Sequence, residues 1–230
     1  KFTVITVRNK SVLSAKLGQS IFLGVIFSLI FMNLTKSEVG IRDRLGLIAS
    51  ISVMCIMSIC SASILIFSED RLVFIRERAG HLYSPISYFI AKILINLVVN
   101  VLSLSIMSVF IWWSTGSNEL FGYKFWVFVG GLIISGLGAM AYALFLGSLA
   151  SNANSLAPLN ILWNIPLLML SGFFSDESNF APYLIPFKYL SLYRWVYQIL
   201  ALNEFADNVP FTCENPPDKC DPLNDLDFNE

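Results

Sequence analysis

The amino-acid sequence predicts an all-α protein, a bundle of helices that crosses a lipid bilayer about five times. Of its 230 residues, 56% are hydrophobic and only 13% are charged, about half the charged fraction of a typical soluble domain. A transmembrane helix needs roughly 20 apolar residues to cross a ~30 Å hydrocarbon layer. Four long segments have no charged residue, and their lengths predict one helix each for the first three and two for the last: 17–35, 45–68, 93–118 and 125–175.

Local signals set the boundaries of the predicted spans. Ser84 and Pro85 are typical of a helix start, because serine caps free N–H groups and proline suits the first turn. Trp112 and Trp113 are typical of the membrane interface, where that helix would end. The polar run 147–154 predicts the turn that divides the fourth segment. The predicted spans are residues 17–34, 45–67, 85–113, 124–148 and 156–174.

The segments outside the spans have their own character. Residues 1–16 mix basic and apolar side chains, which predicts a helix on the membrane surface. The loop 68–84 is the most charged stretch beside the membrane. Residues 175–206 predict an external helical loop, whose part 191–205 is amphipathic. The remainder, 207–230, is rich in Asp, Asn and Pro and predicts a flexible polar external loop.

The distribution of Lys and Arg predicts that the N-terminus lies in the cytosol. This orientation places eight basic residues beside the spans inside and four outside, as the positive-inside rule requires. Arg42 and Arg44 run against the trend. The same orientation places Cys213 and Cys220 outside the cell, where a disulfide between them is favoured. Two free thiols are the alternative.

No catalytic motif is visible in the sequence. The single histidine, His81, cannot build a His-ligated metal site, and the sequence has no phosphate loop or nucleophile elbow. A net charge of −1 gives no basic field for nucleic acid. We therefore expect no catalytic residue, no metal site and no nucleic-acid partner.

Polar neutral residues are the remaining chemical signal inside the predicted spans. Asn96 and Asn100 lie in span 3, and Asn160 and Asn164 lie in span 5. In lipid such groups must face protein or a cavity. They either hold helices together or line a passage for an amphipathic substrate. Lys92 is the only charge that comes near the spans, so an ion-coupled mechanism is not indicated.

Span 4 carries a small residue at every fourth position. A stripe of this kind lets a second helix approach closely, although chance in a segment rich in Ala and Gly would also produce it. The five positions are Gly131, Ser135, Ala139, Ala143 and Gly147.

Several stretches, in order, resemble the transmembrane domain of G-subfamily (White-type) ABC half-transporters, an ABC-2 type transporter domain. The stretch 40–46 (GIRDRLG) resembles the outer loop before the second span. The stretch 69–92, with FIRERAGHLYSPISYFIAK at its core, resembles the first intracellular loop, the coupling helix and the start of the third span. The stretches 171–174 (SGFF) and 189–205 resemble the end of the fifth span and the external re-entrant helices. The likeness assigns residues 1–206 to one domain.

The resemblance implies an ATP-driven exporter of lipid-like or amphipathic substrates that works by alternating access. Such proteins form homodimers or heterodimers, and a cytosolic domain that binds ATP and Mg precedes the membrane domain. That domain and a sixth span are expected outside this chain, and this segment itself is expected to bind no cofactor. The plasma membrane is the expected location, with an internal membrane as the alternative.

The resemblance also implies roles for individual positions. Coupling to the ATP-binding domain is expected at Arg71, Arg76, Glu77 and Arg78. The substrate cavity is expected between spans 2 and 5 of two protomers, at Ala49, Ser50, Val53, Met54, Met57, Asn164, Ile165 and Leu168. The apolar plug of the outer exit is expected at Phe173 and Phe174.

The cavity positions on span 2 depart from those of the family's drug exporters, which hold flat substrates with aromatic residues and an Asn. Here those positions are Ala49, Ser50, Met54 and Met57, so a clamp for flat aromatic drugs is not indicated, and a lipid or another flexible apolar substrate fits no less well. The competing hypothesis is a polytopic membrane protein without transport, such as a receptor, a scaffold or a lipid-modifying enzyme. A receptor would need a well-formed outer pocket, and a lipid enzyme would need an acidic or His cluster at a membrane face.

Overall fold

A computed structural model describes residues 10–32, 38–79, 85–115, 122–149, 156–174 and 184–205. The regular structure in these residues is helical, with no strand, which confirms the predicted all-α fold. The helices are α1 (Lys10–Ile30), α2 (Glu38–Ala79), α3 (Pro85–Ser114), α4 (Tyr123–Leu149), α5 (Leu156–Met169), α6 (Ile185–Leu190) and α7 (Leu192–Phe205).

Four of these helices are long and apolar enough to cross a membrane, which confirms a polytopic transmembrane bundle. The predicted spans 85–113 and 124–148 agree with α3 and α4 to within one residue at each end. The apolar segments of the four helices are Leu13–Ile30, Gly40–Ile64, Ile93–Ser114 and Tyr123–Leu149.

Helix α1 begins earlier than the predicted first span, 17–34. It starts at Lys10 and is followed by a turn at Phe31 and Met32. Because no proline interrupts this stretch, the helix continues through Lys16, which lies inside the apolar segment. The predicted surface helix 1–16 is therefore part of α1 from Lys10 onwards, and residues 1–9 lie outside the described part of the chain.

Helix α2 is much longer than the predicted second span, 45–67. It is one helix of 42 residues, about 63 Å long and about twice the thickness of the hydrocarbon layer. No proline lies between Glu38 and Ala79, and the charged residues after the span are mostly good helix formers. Most of the predicted loop 68–84 is therefore helical, and residues 80–84 lie outside the described residues.

Helix α5 is shorter than the predicted fifth span, 156–174. Its 14 residues extend about 21 Å, less than the hydrocarbon layer. Pro166 inside the helix has no N–H to donate. Gly172 has a φ of 81°, a left-handed conformation that is strained for other residues and common where helices end. Residues 170–174 therefore form turns and bends.

Helix α4 lies at the centre of the bundle and packs against α2, α3, α5 and α7, whereas α1 packs on α3. The stripe of small residues on α4 is fully buried, which confirms that it is a packing surface. A Cβ added at Gly131 would lie 3.2 Å from Leu200 of α7, and one added at Gly138 would lie 2.7 Å from Leu192. Small residues on α4 thus let α7 lie directly against it.

Candidate functional site

A pocket between α2, α5 and α7 brings together residues that the sequence assigned to the cavity and to the exit plug. Ala49 and Val53 come from α2, and Leu168 comes from α5. Phe173 and Phe174 follow from the turns after α5. The pocket is completed by four residues that had no role assigned in the cavity: Ser52, Ser171, Tyr193 and Tyr197.

The remaining cavity positions on α2 lie on a less buried face next to this pocket. Met54 is 47% exposed, and Ser50 and Met57 are half-buried. Ser61 is exposed one turn further along the helix, and its hydroxyl donates to the Met57 carbonyl at 2.8 Å. On α5, Ile165 is also exposed. Two serines and two methionines therefore mark this face of α2, and the described residues leave Met54 and Ser61 on it exposed.

Asn164 lies in a buried hydrogen-bond network and is only 2% exposed. Its amide Nδ2 donates to the side-chain oxygen of Asn160 at 2.7 Å and to the backbone carbonyl of Asn160 at 2.9 Å. Its Oδ1 accepts from the hydroxyl of Tyr193 at 2.8 Å. The side chain thus joins α5 to α7 and faces the interior of the protomer.

The network continues from α5 to α2. The Asn160 Oδ1 accepts from the Cys60 thiol at 3.1 Å, and its Nδ2 donates to the Ser61 hydroxyl at 3.0 Å. Every side-chain amide group of the two asparagines therefore has a protein partner. Of the two interpretations that the sequence left open for these asparagines, the structure supports the hydrogen-bonding of helices to one another.

The two phenylalanines of the predicted plug contact each other at the end of α5. Their ring centroids are 4.9 Å apart with the planes nearly perpendicular, a favourable edge-to-face arrangement. Phe173 also contacts Tyr197 of α7, with centroids 5.8 Å apart. Both phenylalanines remain partly exposed, at 39% and 55%. They can therefore contact a partner surface or a substrate without leaving their present positions.

Ser191 connects the end of α5 to the start of α7, a role that the sequence analysis missed. Its hydroxyl donates to the Leu167 carbonyl at 2.7 Å and accepts from the Arg194 backbone N–H at 3.4 Å. The second bond is an N-cap. A serine directly before an amphipathic helix is the sequence signal that could have identified it.

An ion pair and a hydrogen bond hold the C-terminal end of α7. Arg44 of α2 pairs with Glu204 of α7, and both side chains are largely buried. The Asn203 amide donates to the Lys124 carbonyl at 3.0 Å. The sequence analysis had counted Arg44 only as an external charge. Its pairing with Glu204 could not be predicted, because 160 residues separate the two.

The predicted coupling residues lie in the last third of α2. Arg71, Arg76, Glu77 and Arg78 follow the apolar segment that ends at Ile64 and belong to the same helix. Cys213 and Cys220 lie outside the described part of the chain, so their disulfide stays a prediction. No group of three potential metal-ligating side chains occurs among the residues that the structure describes.

Comparison with known proteins identifies the family. The model of the ABC-2 type transporter family matches residues 2–205. This chain belongs to that family. An ABC transporter G family member 6 from Arabidopsis thaliana is 26% identical over 201 residues, which is 87% of this chain and 27% of the relative. The ABC-2 domain is thus also similar to named G family members, which confirms the resemblance seen in the sequence.

Two further relatives come from other organisms. An ABC transporter G family member 1 from Dictyostelium discoideum is 24% identical over 212 residues, 90% of this chain and 26% of the relative. An ABC transporter G family member 5 from Oryza sativa subsp. japonica is 27% identical over 205 residues, 88% of this chain and 25% of the relative. The chain therefore spans about a quarter of the length of each of these proteins.

Proposed function

We propose that this chain is the permease part of an ATP-driven exporter that moves lipid-like or amphipathic substrates by alternating access. The observation that supports this most directly is the family match over residues 2–205. A cytosolic domain that binds ATP and Mg, and a second half-transporter, complete the proposed machine. In this proposal the N-terminus is cytosolic and the location is the plasma membrane.

The partly exposed face of α2 supports a substrate path between two protomers. This face carries Ser50, Met54, Met57 and Ser61. It differs from the exposed face of α3, which is aliphatic, as at Leu94, and suits lipid. Methionine side chains adapt to varied apolar shapes. The Ser50 and Ser61 hydroxyls donate to backbone carbonyls within α2, so they can meet a polar head only as acceptors. We assign the cavity to this face and to the adjoining pocket that ends at the plug.

The length of α2 supports the proposed coupling to ATP hydrolysis. From Ile64 to Ala79 the helix extends about 22 Å beyond its apolar segment. A continuous helix transmits displacement along its axis, because its backbone hydrogen bonds resist bending. Closure of the ATP-binding domains against Arg71, Arg76, Glu77 and Arg78 would thus move the cavity face of the same helix.

Transport by the full-length protein in proteoliposomes tests the proposal. We expect ATP-dependent movement of a fluorescent phospholipid analogue, sensitive to vanadate. The substitution Met54→Trp on the cavity face should lower the rate at least about fivefold, because the larger ring narrows the path. Leu102→Trp is the matched control on the exposed face of α3 and should leave the rate unchanged. Equal effects of the two substitutions would refute the assigned path.

A second experiment tests the coupling residues. The double substitution of Glu77→Ala and Arg78→Ala should reduce substrate-stimulated ATP hydrolysis while leaving the protein folded. Arg42→Ala removes an exposed charge at the other end of α2 and is the control. An unchanged stimulated rate in the double variant would rule out a coupling role, and absence of ATP-dependent transport in the wild type would favour a non-transporting membrane protein.

A further inference from the structure

A second pocket opens between α1, α2 and α3, away from the proposed substrate path. Part of its wall is apolar, as at Leu23 and Met107. Its polar residues are Lys16, Gln19, Ser20, Ser58, Asn100 and Ser103. An amphiphile has the same two parts, one polar and one apolar.

Lys16 places a positive charge inside the apolar segment of α1 that lines this pocket. It is the fourth residue of the apolar segment Leu13–Ile30, and its partner Asn100 is the eighth residue of Ile93–Ser114. The two side chains thus lie about 5 and 11 Å from the ends of their segments. Helices α1 and α3 run in the same direction, because Ser20 contacts Ser103 further along both. A cation in an apolar segment needs a counter-charge or hydrogen-bond acceptors, since charged groups inside a membrane are costly.

The described residues supply Lys16 with one hydrogen-bond acceptor and no counter-charge. The Lys16 ammonium donates to the Asn100 Oδ1 at 3.3 Å, and this is its one hydrogen bond within the described residues, although an ammonium has three donors. The Asn100 Nδ2 likewise has no hydrogen-bond acceptor there. The Ser20 hydroxyl donates to the Lys16 carbonyl at 2.9 Å and bonds with Ser103, so these serines satisfy each other. The Lys16 ammonium and the Asn100 Nδ2 thus keep donors that suit an anion, and the exposed Gln19 amide beside them adds both a donor and an acceptor.

The sequences of the three helices leave no acidic residue to neutralise Lys16. Helices α1 and α3 contain no Asp or Glu. Helix α2 has none between Asp43 and Glu69, and Ser58, its polar residue in the pocket, lies between those two positions. In the described part of the chain Lys16 has no ion pair. Since the described residues supply no counter-charge, a bound anion is the partner that would balance Lys16 there.

We propose that this pocket binds the anionic headgroup of a membrane phospholipid, with the Lys16 ammonium and the Asn100 amide on its phosphate. The bound lipid is a resident ligand, distinct from the transported substrate. Its acyl chains lie along exposed apolar residues that follow Lys16 on α1 and Asn100 on α3, such as Phe22 and Val109. A lipid is favoured over free phosphate, because the pocket also has an apolar wall, as at Leu23 and Met107, which an acyl chain covers and an inorganic ion does not.

Native mass spectrometry of the full-length protein, without ATP, tests the proposal. The protein is purified in detergent with equal amounts of phosphatidylglycerol and phosphatidylcholine that carry identical acyl chains. The wild type should retain phosphatidylglycerol preferentially. Lys16→Gln should lower that retention about tenfold or more, the value of a charge-assisted hydrogen bond, and Lys16→Arg should restore it. Arg42→Gln removes an exposed cation from the opposite end of α2 and should change nothing.

A second variant keeps the test decisive if Lys16→Gln does not fold. Asn100→Asp places a carboxylate beside the ammonium, so that the protein supplies its own counter-charge and the lipid should be lost. Retention of phosphatidylglycerol by both variants at the wild-type level would overturn the proposal. Binding of inorganic phosphate, with the same dependence on Lys16, would overturn the lipid as the ligand. Because no step uses ATP, failure of transport leaves this result unaffected.

Discussion

Two clusters of polar side chains lie inside this bundle, and they are built from similar residues with opposite results. In the cluster of α2, α5 and α7, both asparagines have protein partners for every side-chain amide group. In the cluster of α1, α2 and α3, Lys16 and Asn100 make one bond to each other and keep free donors within the described residues. A closed network holds helices together, whereas an open cluster is suited to a ligand.

The two clusters show that helical spacing alone does not determine which result occurs. Asn160 and Asn164 lie four residues apart on α5, and their amides meet at 2.7 Å. Asn96 and Asn100 have the same spacing on α3, yet no hydrogen bond joins them in the structure. The difference comes from the third partner: a tyrosine hydroxyl closes the first pair, while a lysine ammonium takes the oxygen of Asn100.

The largest expected effect is that of breaking the closed network at Asn164. Asn164→Leu removes the partner of Tyr193 and leaves the buried side-chain oxygen of Asn160 with fewer donors. We expect a loss of about 3 kcal/mol of unfolding free energy, measured by thermal unfolding in detergent. Asn96→Leu is the matched control on α3 and should change stability by less than about 0.5 kcal/mol. Equal losses would mean that the network contributes nothing specific.

A smaller effect is expected when Arg44 loses its ion pair with Glu204. Glu204→Gln leaves Arg44 largely buried without its counter-ion, which should cost about 2 kcal/mol. The double variant with Arg44→Gln should recover part of this loss, because no unpaired charge remains. Unfolding of the four proteins in a double-mutant cycle gives the coupling between the pair. A coupling near zero would make the pair irrelevant to the anchoring of α7.

A still smaller effect is expected when one hydroxyl is removed from the closed network. Tyr193→Phe keeps the buried ring and deletes only the bond to Asn164, so about 1 kcal/mol should be lost. Tyr123→Phe, at a tyrosine that is 81% exposed, is the control and should be neutral. The two losses at Tyr193 and Asn164 should not add, since they remove the same bond. Full additivity would contradict the network.

The sequence predicted the bundle better than it predicted the polar clusters. The positions of α3 and α4 follow from uncharged runs, which depend only on the local composition of the chain. Helix α5 ends before the predicted fifth span does, because the chain turns around Gly172, and that turn depends on the backbone conformation there. The partner of Asn164 lies 29 residues away, and that of Lys16 lies 84 residues away. Such pairs depend on how the helices pack against one another. The spacing of residues along one helix does not predict that packing.

The smallest expected effect distinguishes the open cluster from the closed one most directly. Lys16→Gln, in detergent without added phospholipid, should change the unfolding free energy by less than about 0.5 kcal/mol, because it deletes one long hydrogen bond and also relieves an uncompensated charge. Added phosphatidylglycerol should then raise the unfolding temperature of the wild type but not of the variant, since a ligand that binds only the folded state stabilises it. A large loss in lipid-free detergent would instead place Lys16 in a closed structural network like that of Asn164.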